Sequence, residues 1–313
     1  MDLNWEMSVM KRRHKVFAAA VIAIVIIVMV MFYRETDQEW RHYQKSYNAK
    51  LADKLKKPEY LSEPLKIQQV WLPKLNTTDR CITCHLGVEN PLLVNEPQPF
   101  TTHPGNIFRA HPIDKFGCTV CHQGDGQALT VEATHGVVHH LNRQLLAKEF
   151  VQSSCSKCHV ELHDTSITDD KFAGAGVGTM LQGRALTFQY GCRACHTING
   201  DGGNIGPELT GFGSKTELAF GLIHDFAHIE GPHVKAEWEF EHFLDPQKVV
   251  PGNRELNFPP TIMPKFGFSN EQAKALTIYV LNLRNPKVDN IPYEYIAKNS
   301  FVKTPSRPVK SSK

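Results

Sequence analysis

Four runs of Cys-x-x-Cys-His constrain this chain more than any other feature. They are Cys81/Cys84/His85, Cys118/Cys121/His122, Cys155/Cys158/His159 and Cys192/Cys195/His196, and together they use all eight cysteines of the 313 residues. A Cys-x-x-Cys pair alone is compatible with zinc or with a redox disulfide. A histidine directly after the second cysteine, four times over, is the attachment pattern of c-type haem. The spacing lets two sulfurs form thioethers to the two vinyl groups of one porphyrin. The next residue then offers an imidazole nitrogen to the iron. Zinc would call for further ligands at finger-like spacing and has no need of the adjacent histidine. Four covalently bound haem c groups are therefore expected.

A second feature places these groups in the cell. Val16 to Tyr33 reads VFAAAVIAIVIIVMVMFY, 18 residues without a charge. At about 1.5 Å per residue a helix of this length just spans a bilayer's hydrocarbon core. Lys11, Arg12, Arg13, His14 and Lys15 precede it, whereas Arg34, Glu35, Asp37 and Glu39 follow with mixed sign. The positive cluster predicts a cytoplasmic N-terminus, a single pass through the inner (cytoplasmic) membrane and a periplasmic remainder. A cleaved signal peptide is the competing reading, but the apolar run is long for one and FYRETDQEW has no small-x-small cleavage site. The span holds no acidic residue or histidine that could take a proton from a quinol, so it reads as a tether or a packing surface. The formal net charge of +3, with no basic stripe among aromatics, argues against a nucleic-acid partner.

The expected organisation has five parts. Residues 1–33 are the cytoplasmic N-terminus and anchor, and 34–75 are a charged stalk or linker, helical to about Lys57. Residues 76–172 carry three haem motifs, with 37 residues from Cys81 to Cys118 and 37 again to Cys155. This stretch is poor in apolar periodicity, so the haems would supply its core. Residues 173–289 form a single-haem domain, and 290–313 form a basic tail. In the fourth part, Ser269 and Gln272 make a capping box, opening a helix with Leu276, Tyr279, Val280 and Leu283 on one stripe. The fold class is mainly α with much irregular structure: a transmembrane helix, a haem-organised trihaem domain and an all-α haem domain.

The sixth iron ligand decides the chemistry: methionine raises the potential, histidine lowers it and an open position permits catalysis. Beyond the membrane span only Met180 and Met263 occur, so at least two haems cannot carry methionine. Six histidines lie near the first three motifs: His103, His111, His135, His139, His140 and His163. Four rank first as iron ligands, His103 and His111 (each followed by proline), His135 and His139. Their pairing with particular haems is not readable, because a distal ligand often comes from another motif's segment.

With Cys192-Arg-Ala-Cys195-His196, Gly206-Pro207 and Met263-Pro264, the C-terminal third resembles class I cytochrome c. The resemblance implies that Met263 is the sixth ligand, that Pro207 orients His196, and that the helix over 269–284 crosses the first helix of the domain. The long interval from Pro207 to Met263 departs from the family pattern. It contains His224, His228, His233 and His242, any of which could compete as a ligand, although exposed or structural placement is the commoner role. Met180 reads as a packing residue.

The runs CITCHLGVENP, QPFTTHPG and HPIDKFGCTVCHQGDGQA, over residues 71–158, resemble membrane-anchored multihaem cytochromes of bacterial respiratory chains. That resemblance implies quinol-oxidising complexes, including those built around a b-type cytochrome. The expected function is relay of electrons from an integral membrane quinol-oxidising subunit to a periplasmic electron carrier, without independent catalysis. Two alternatives stand beside it. One is a stand-alone quinol dehydrogenase of the NapC type, against which the apolar anchor and the fused class I domain argue. The other is a multihaem redox enzyme with one open haem, and no Cys-x-x-Cys-Lys variant is present to support it.

Overall fold

The computed structural model describes residues 3–136, 144–163, 176–253, 255, 258–285 and 287–296. It is mainly helical. Contacts divide the chain into two compact units, one joining residues 1–68 with 82–105 and 129–131, the other joining 69–81, 106–128 and 132–313. Residues 76–172 are thus shared between the two, and most of the C-terminal tail lies outside the described residues.

In the first unit, helix α1 (Leu3–Thr36) carries the apolar run. Every residue from Val16 to Tyr33 is exposed, and mean hydropathy reaches 3.0 over an 18-residue window. An apolar surface all around a helix, with no polar face, suits lipid and not a half-buried position on a globule. This is one helix long and apolar enough to cross a membrane.

In the segment expected as a charged stalk or linker, helix α2 (Glu39–Leu55) adds one buried face. Trp40, Gln44 and Leu51 are buried along one face, at spacings of four and seven residues that return to the same side of a helix. The Gln44 amide is fully used: Nε2 donates to the carbonyls of Lys66 (2.6 Å) and Thr83 (3.0 Å), and Oε1 accepts from the Lys66 N–H (2.9 Å). Thr83, inside the first haem motif, exchanges two further bonds with the Gln68 backbone. The charged composition of this segment concealed a three-residue apolar and amide stripe. Lys56, in left-handed conformation (φ 54°), ends α2. Its N–H reaches Asp53 O and that of Lys57 reaches Ala52 O, a Schellman closure.

The second unit opens with a small hairpin in which β1 (Val70–Leu72) pairs antiparallel with β2 (Thr77–Asp79). Its core is built by α3 (Gly178–Gln189), α4 (Lys235–Leu244) and α5 (Asn270–Asn282). The capping box is present: Ser269 Oγ accepts from Gln272 N–H, and Gln272 Oε1 from Ser269 N–H. The four expected stripe residues are buried, but so are Ala275, Thr277, Ile278, Leu281 and Asn282. Helix α5 is enclosed because the polar segment Lys148–Lys157 covers another side. Ser156 Oγ donates to Asn282 O (2.7 Å), and Asn282 Nδ2 donates to Gln152 O (3.1 Å). Opposite, α3 approaches closely at Gly183, and Met180 beside it is wholly buried.

One buried acid sits on α4. Burial pushes the Glu239 carboxyl up to about 8, against the opposing charges of Lys235 and Lys215. Between its ordinary value of 4.5 and 8 the folded chain holds a proton that the unfolded chain has lost, so stability falls as pH rises through that window. Glu239→Gln is expected to flatten this fall, as read by denaturant midpoints from pH 4.5 to 8.

Candidate haem sites

Three of the four motifs fold into the same turn. The N–H groups of the second cysteine and of the histidine both donate to the carbonyl of the first cysteine. The distances are 3.1 and 3.0 Å at Cys118, 3.2 and 3.0 Å at Cys155, and 3.2 and 3.0 Å at Cys192. The first motif makes a 3-10 turn over Cys81–Thr83. This turn gathers two sulfurs and one imidazole on a single tight loop. All eight cysteines are unpaired and partly buried, as thioether formation requires.

The turn at Cys192 shows how a ring is aimed. Gly191 enters it in left-handed conformation (φ 65°). Gly203 N–H donates to Arg193 O and Gly206 N–H to Cys195 O, both at 2.8 Å, folding the following loop under the motif. That loop carries β3 (Thr197–Ile198) and β4 (Asp201–Gly202). His196 Nδ1 lies 2.8 Å from Pro207 O. Because a carbonyl can only accept, Nδ1 carries the proton, and the Nε2 lone pair is left for a metal. Pro207 therefore acts on the ring through its carbonyl. A Cβ on Gly206 would stand 2.5 Å from His196 Cε1, so Gly206→Ala is expected to displace the imidazole from Pro207. The check is a urea titration of the holoprotein, in which one haem should turn high-spin at lower urea than in the unaltered chain.

Met263 lies between α4 and α5, partly buried against the core. Its N–H donates to Thr261 Oγ1 (3.2 Å) and its carbonyl accepts from Gln247 Nε2. Of the histidines between Pro207 and Met263, His228 and His233 are exposed. His224 stacks on Phe220 at 3.8 Å, with Nδ1 3.0 Å from Phe220 O. His242 stacks on Trp238 at 4.7 Å. Its Nδ1 is buried without a hydrogen-bond partner among the described residues. Burial, with His196 and His224 nearby, pushes His242 down to about 4, so it is neutral at neutral pH.

Around the other motifs the structure adds a residue that sequence reading missed. Asp79, 1% exposed, accepts from the backbone N–H groups of Cys81 (3.1 Å), Cys118 (2.8 Å) and Thr119 (2.9 Å). Burial raises its carboxyl, but these hydrogen bonds outweigh burial and hold it below the ordinary carboxylate value. One carboxylate thus ties Cys81 to the start of the second motif, and its oxygen and the sulfurs of Cys81 and Cys118 all lie within 4.8 Å of one another. The only signal in the sequence was an acid two residues before a motif. Lys157 makes the next link, its buried ammonium donating to Val120 O inside the second motif.

The four ranked histidines are placed differently. His103 N–H donates to Val88 O (2.9 Å), three residues beyond His85, and its Nδ1 lies 2.9 Å from Pro104 O. His135 O accepts from Leu145 N–H while His122 O accepts from Leu146 N–H, bringing His135 alongside the second motif. His111 lies against His159, with ring centroids 6.0 Å apart. His139 and His140 lie outside the described residues.

A helical domain with a thioether-spaced cysteine pair, a histidine whose Nδ1 is anchored on a carbonyl, and a methionine before a final helix packed on the first defines a c-type haem domain. The model of the family described as cytochrome c matches residues 180–284. A curated cytochrome c from Gibberella zeae is 36% identical over 84 residues, which is 25% of this chain and 74% of that protein. The chain belongs to the cytochrome c family. Membership implies covalently bound haem c, iron and electron transfer. No solved structure matches.

Proposed function

We propose that this chain is a membrane-anchored tetrahaem c-type cytochrome of the inner membrane. Its N-terminus is cytoplasmic, and its haem domains are periplasmic. It relays electrons from an integral quinol-oxidising subunit, such as a b-type cytochrome, to a periplasmic carrier. The observation that carries this reading is the shared turn, with the same two hydrogen bonds to the first cysteine's carbonyl in three of the four motifs. Bound haem iron supplies one-electron chemistry between ferric and ferrous states.

The chain's part is placement and grading. Cys81, Cys84, Cys118, Cys121, Cys155, Cys158, Cys192 and Cys195 hold the four groups, and His85, His122, His159 and His196 are the proximal ligands. The bonds of Asp79 to Cys81 and Cys118 and the Lys157–Val120 contact support neighbouring attachment points along the chain. Ser156 joins the third to α5 of the cytochrome c domain. These contacts support a relay that runs in sequence order. Met263 raises the potential at the His196 end, and histidine ligation lowers it elsewhere, so electrons run toward the C-terminal domain. The exposed apolar surface of α1 supports the anchor, and the basic cluster before it supports the orientation.

The test is the haem-to-chain ratio of the purified protein together with a potentiometric titration. Four haems per chain, one well above the rest in potential, are expected. Four irons of nearly equal, high potential would contradict the ordering. Carbon monoxide binding to the reduced, unaltered protein would favour an enzyme with an open haem. Unaided oxidation of a quinol analogue would favour a self-sufficient quinol dehydrogenase.

A further inference from the structure

We propose that His111 is the sixth ligand of the third haem, trans to His159, so that a segment preceding the second motif completes the site of the third. The assignment rests on the tetrahaem reading and adds the pairing that sequence could not supply. His111 follows the short helical turn Ile107–Ala110, and its own N–H donates to Ile107 O (2.8 Å). That turn, with Phe116 packed 5.2 Å from the His111 ring, turns the imidazole toward the third motif. Its ring centroid stands 6.0 Å from that of His159, with the planes at 71°.

Two imidazoles trans on one metal, each bonded at about 2 Å, place their ring centres roughly 6 Å apart. Edge-to-face packing of two rings covers the same range, so distance alone does not decide. The nitrogens do. His111 Nδ1 is buried with no hydrogen-bond partner among the described residues. A buried unpaired polar atom of this kind costs about 1–3 kcal/mol unless some other group engages it. On the facing ring, His159 Nδ1 is turned to the buried carboxylate of Glu161, 3.6 Å away. A carboxylate near Nδ1 is the kind of group that orients a metal-bound imidazole and strengthens it as a donor, and at this distance Glu161 acts on the His159 ring by charge. One ring thus faces a buried carboxylate and the other has an Nδ1 without a hydrogen-bond partner among the described residues, at the separation one iron would span.

The experiment uses the full-length holoprotein, after its haem-to-chain ratio has been measured. A ratio below four overturns the tetrahaem reading. The following results bear on His111 alone. His111→Gly is expected to turn one ferric haem from low to high spin, to let one reduced haem bind carbon monoxide, and to recover the low-spin spectrum on addition of imidazole. The lost electron paramagnetic resonance signal should be a highly anisotropic one, because near-perpendicular imidazole planes give that form and near-parallel planes a rhombic one. His111→Met should leave every haem low-spin and raise one midpoint potential. Glu161→Gln, acting through His159, should move the same component. A His111→Gly protein whose haems all remain low-spin and unreactive to carbon monoxide overturns the assignment. So does a His111→Met protein with unchanged potentials, or a Glu161→Gln shift in a different component. His135→Gly serves as the contrast, and loss of the same anisotropic signal in that variant would also overturn it.

Discussion

Met263→His is expected to abolish the highest midpoint potential of the protein and to leave the other components where they were. Thioether sulfur is a weak donor that favours the ferrous ion, whereas imidazole is a stronger donor that favours the ferric ion, so the exchange lowers the couple. Axial ligands span about 0.8 V across haem proteins, and this exchange should use a few tenths of a volt of that range. The local backbone survives the change, because Met263 is held through its own N–H and carbonyl by Thr261 and Gln247. A potentiometric titration with optical detection reads the result directly. Retention of the high component would pass the sixth position to another group, and His242, buried near His196 with an unpartnered Nδ1, would be the first to test. Under the proposed relay, this variant would lack the high-potential exit toward which electrons run.

Gly183→Ala should destabilise the C-terminal domain markedly, although it adds only one methyl group. In an ordinary helix interior, glycine to alanine stabilises by about 1 kcal/mol. Here the added Cβ would fall 1.9 Å from Ala275 O and 2.8 Å from Tyr279 Cβ. The first of these is backbone, which has no rotamer to yield, so α3 and α5 must separate along a fully packed seam. Overpacking of this kind costs about 1–3 kcal/mol or more, and the sign opposite to propensity makes the result diagnostic. Gly178→Ala on the same helix, with nothing within 4 Å of its Cβ, is the control and should be neutral or slightly stabilising. Denaturant midpoints followed by helical circular dichroism separate the two.

Much of the C-terminal domain was legible because its signals are local. The capping box needs only Ser269 and Gln272, and the proline that aims His196 follows its motif at short range. Other features were hidden because they join residues far apart in sequence. Asp79 serves Cys118 across 39 residues, and Gln44 serves Thr83 across the same interval. A lone carboxylate or amide carries no periodic signal, and its role appears only when the backbone N–H or C=O groups it satisfies are in place. The buried face of α2 was hidden for the same reason, since three buried positions in a charged helix do not outweigh their neighbours in composition.

The sequence by itself determined the chemistry: Cys-x-x-Cys-His can be read without a fold because haem attachment demands only spacing along one turn. It determined the apolar helix too, since length and lack of charge are properties of a segment. Only the tertiary structure decided which turns lie side by side, which face of α5 is covered by the third motif, and which histidine meets which. Those outcomes depend on closing loops of tens of residues around shared hydrogen bonds and packed rings, and no local pattern records where such loops close.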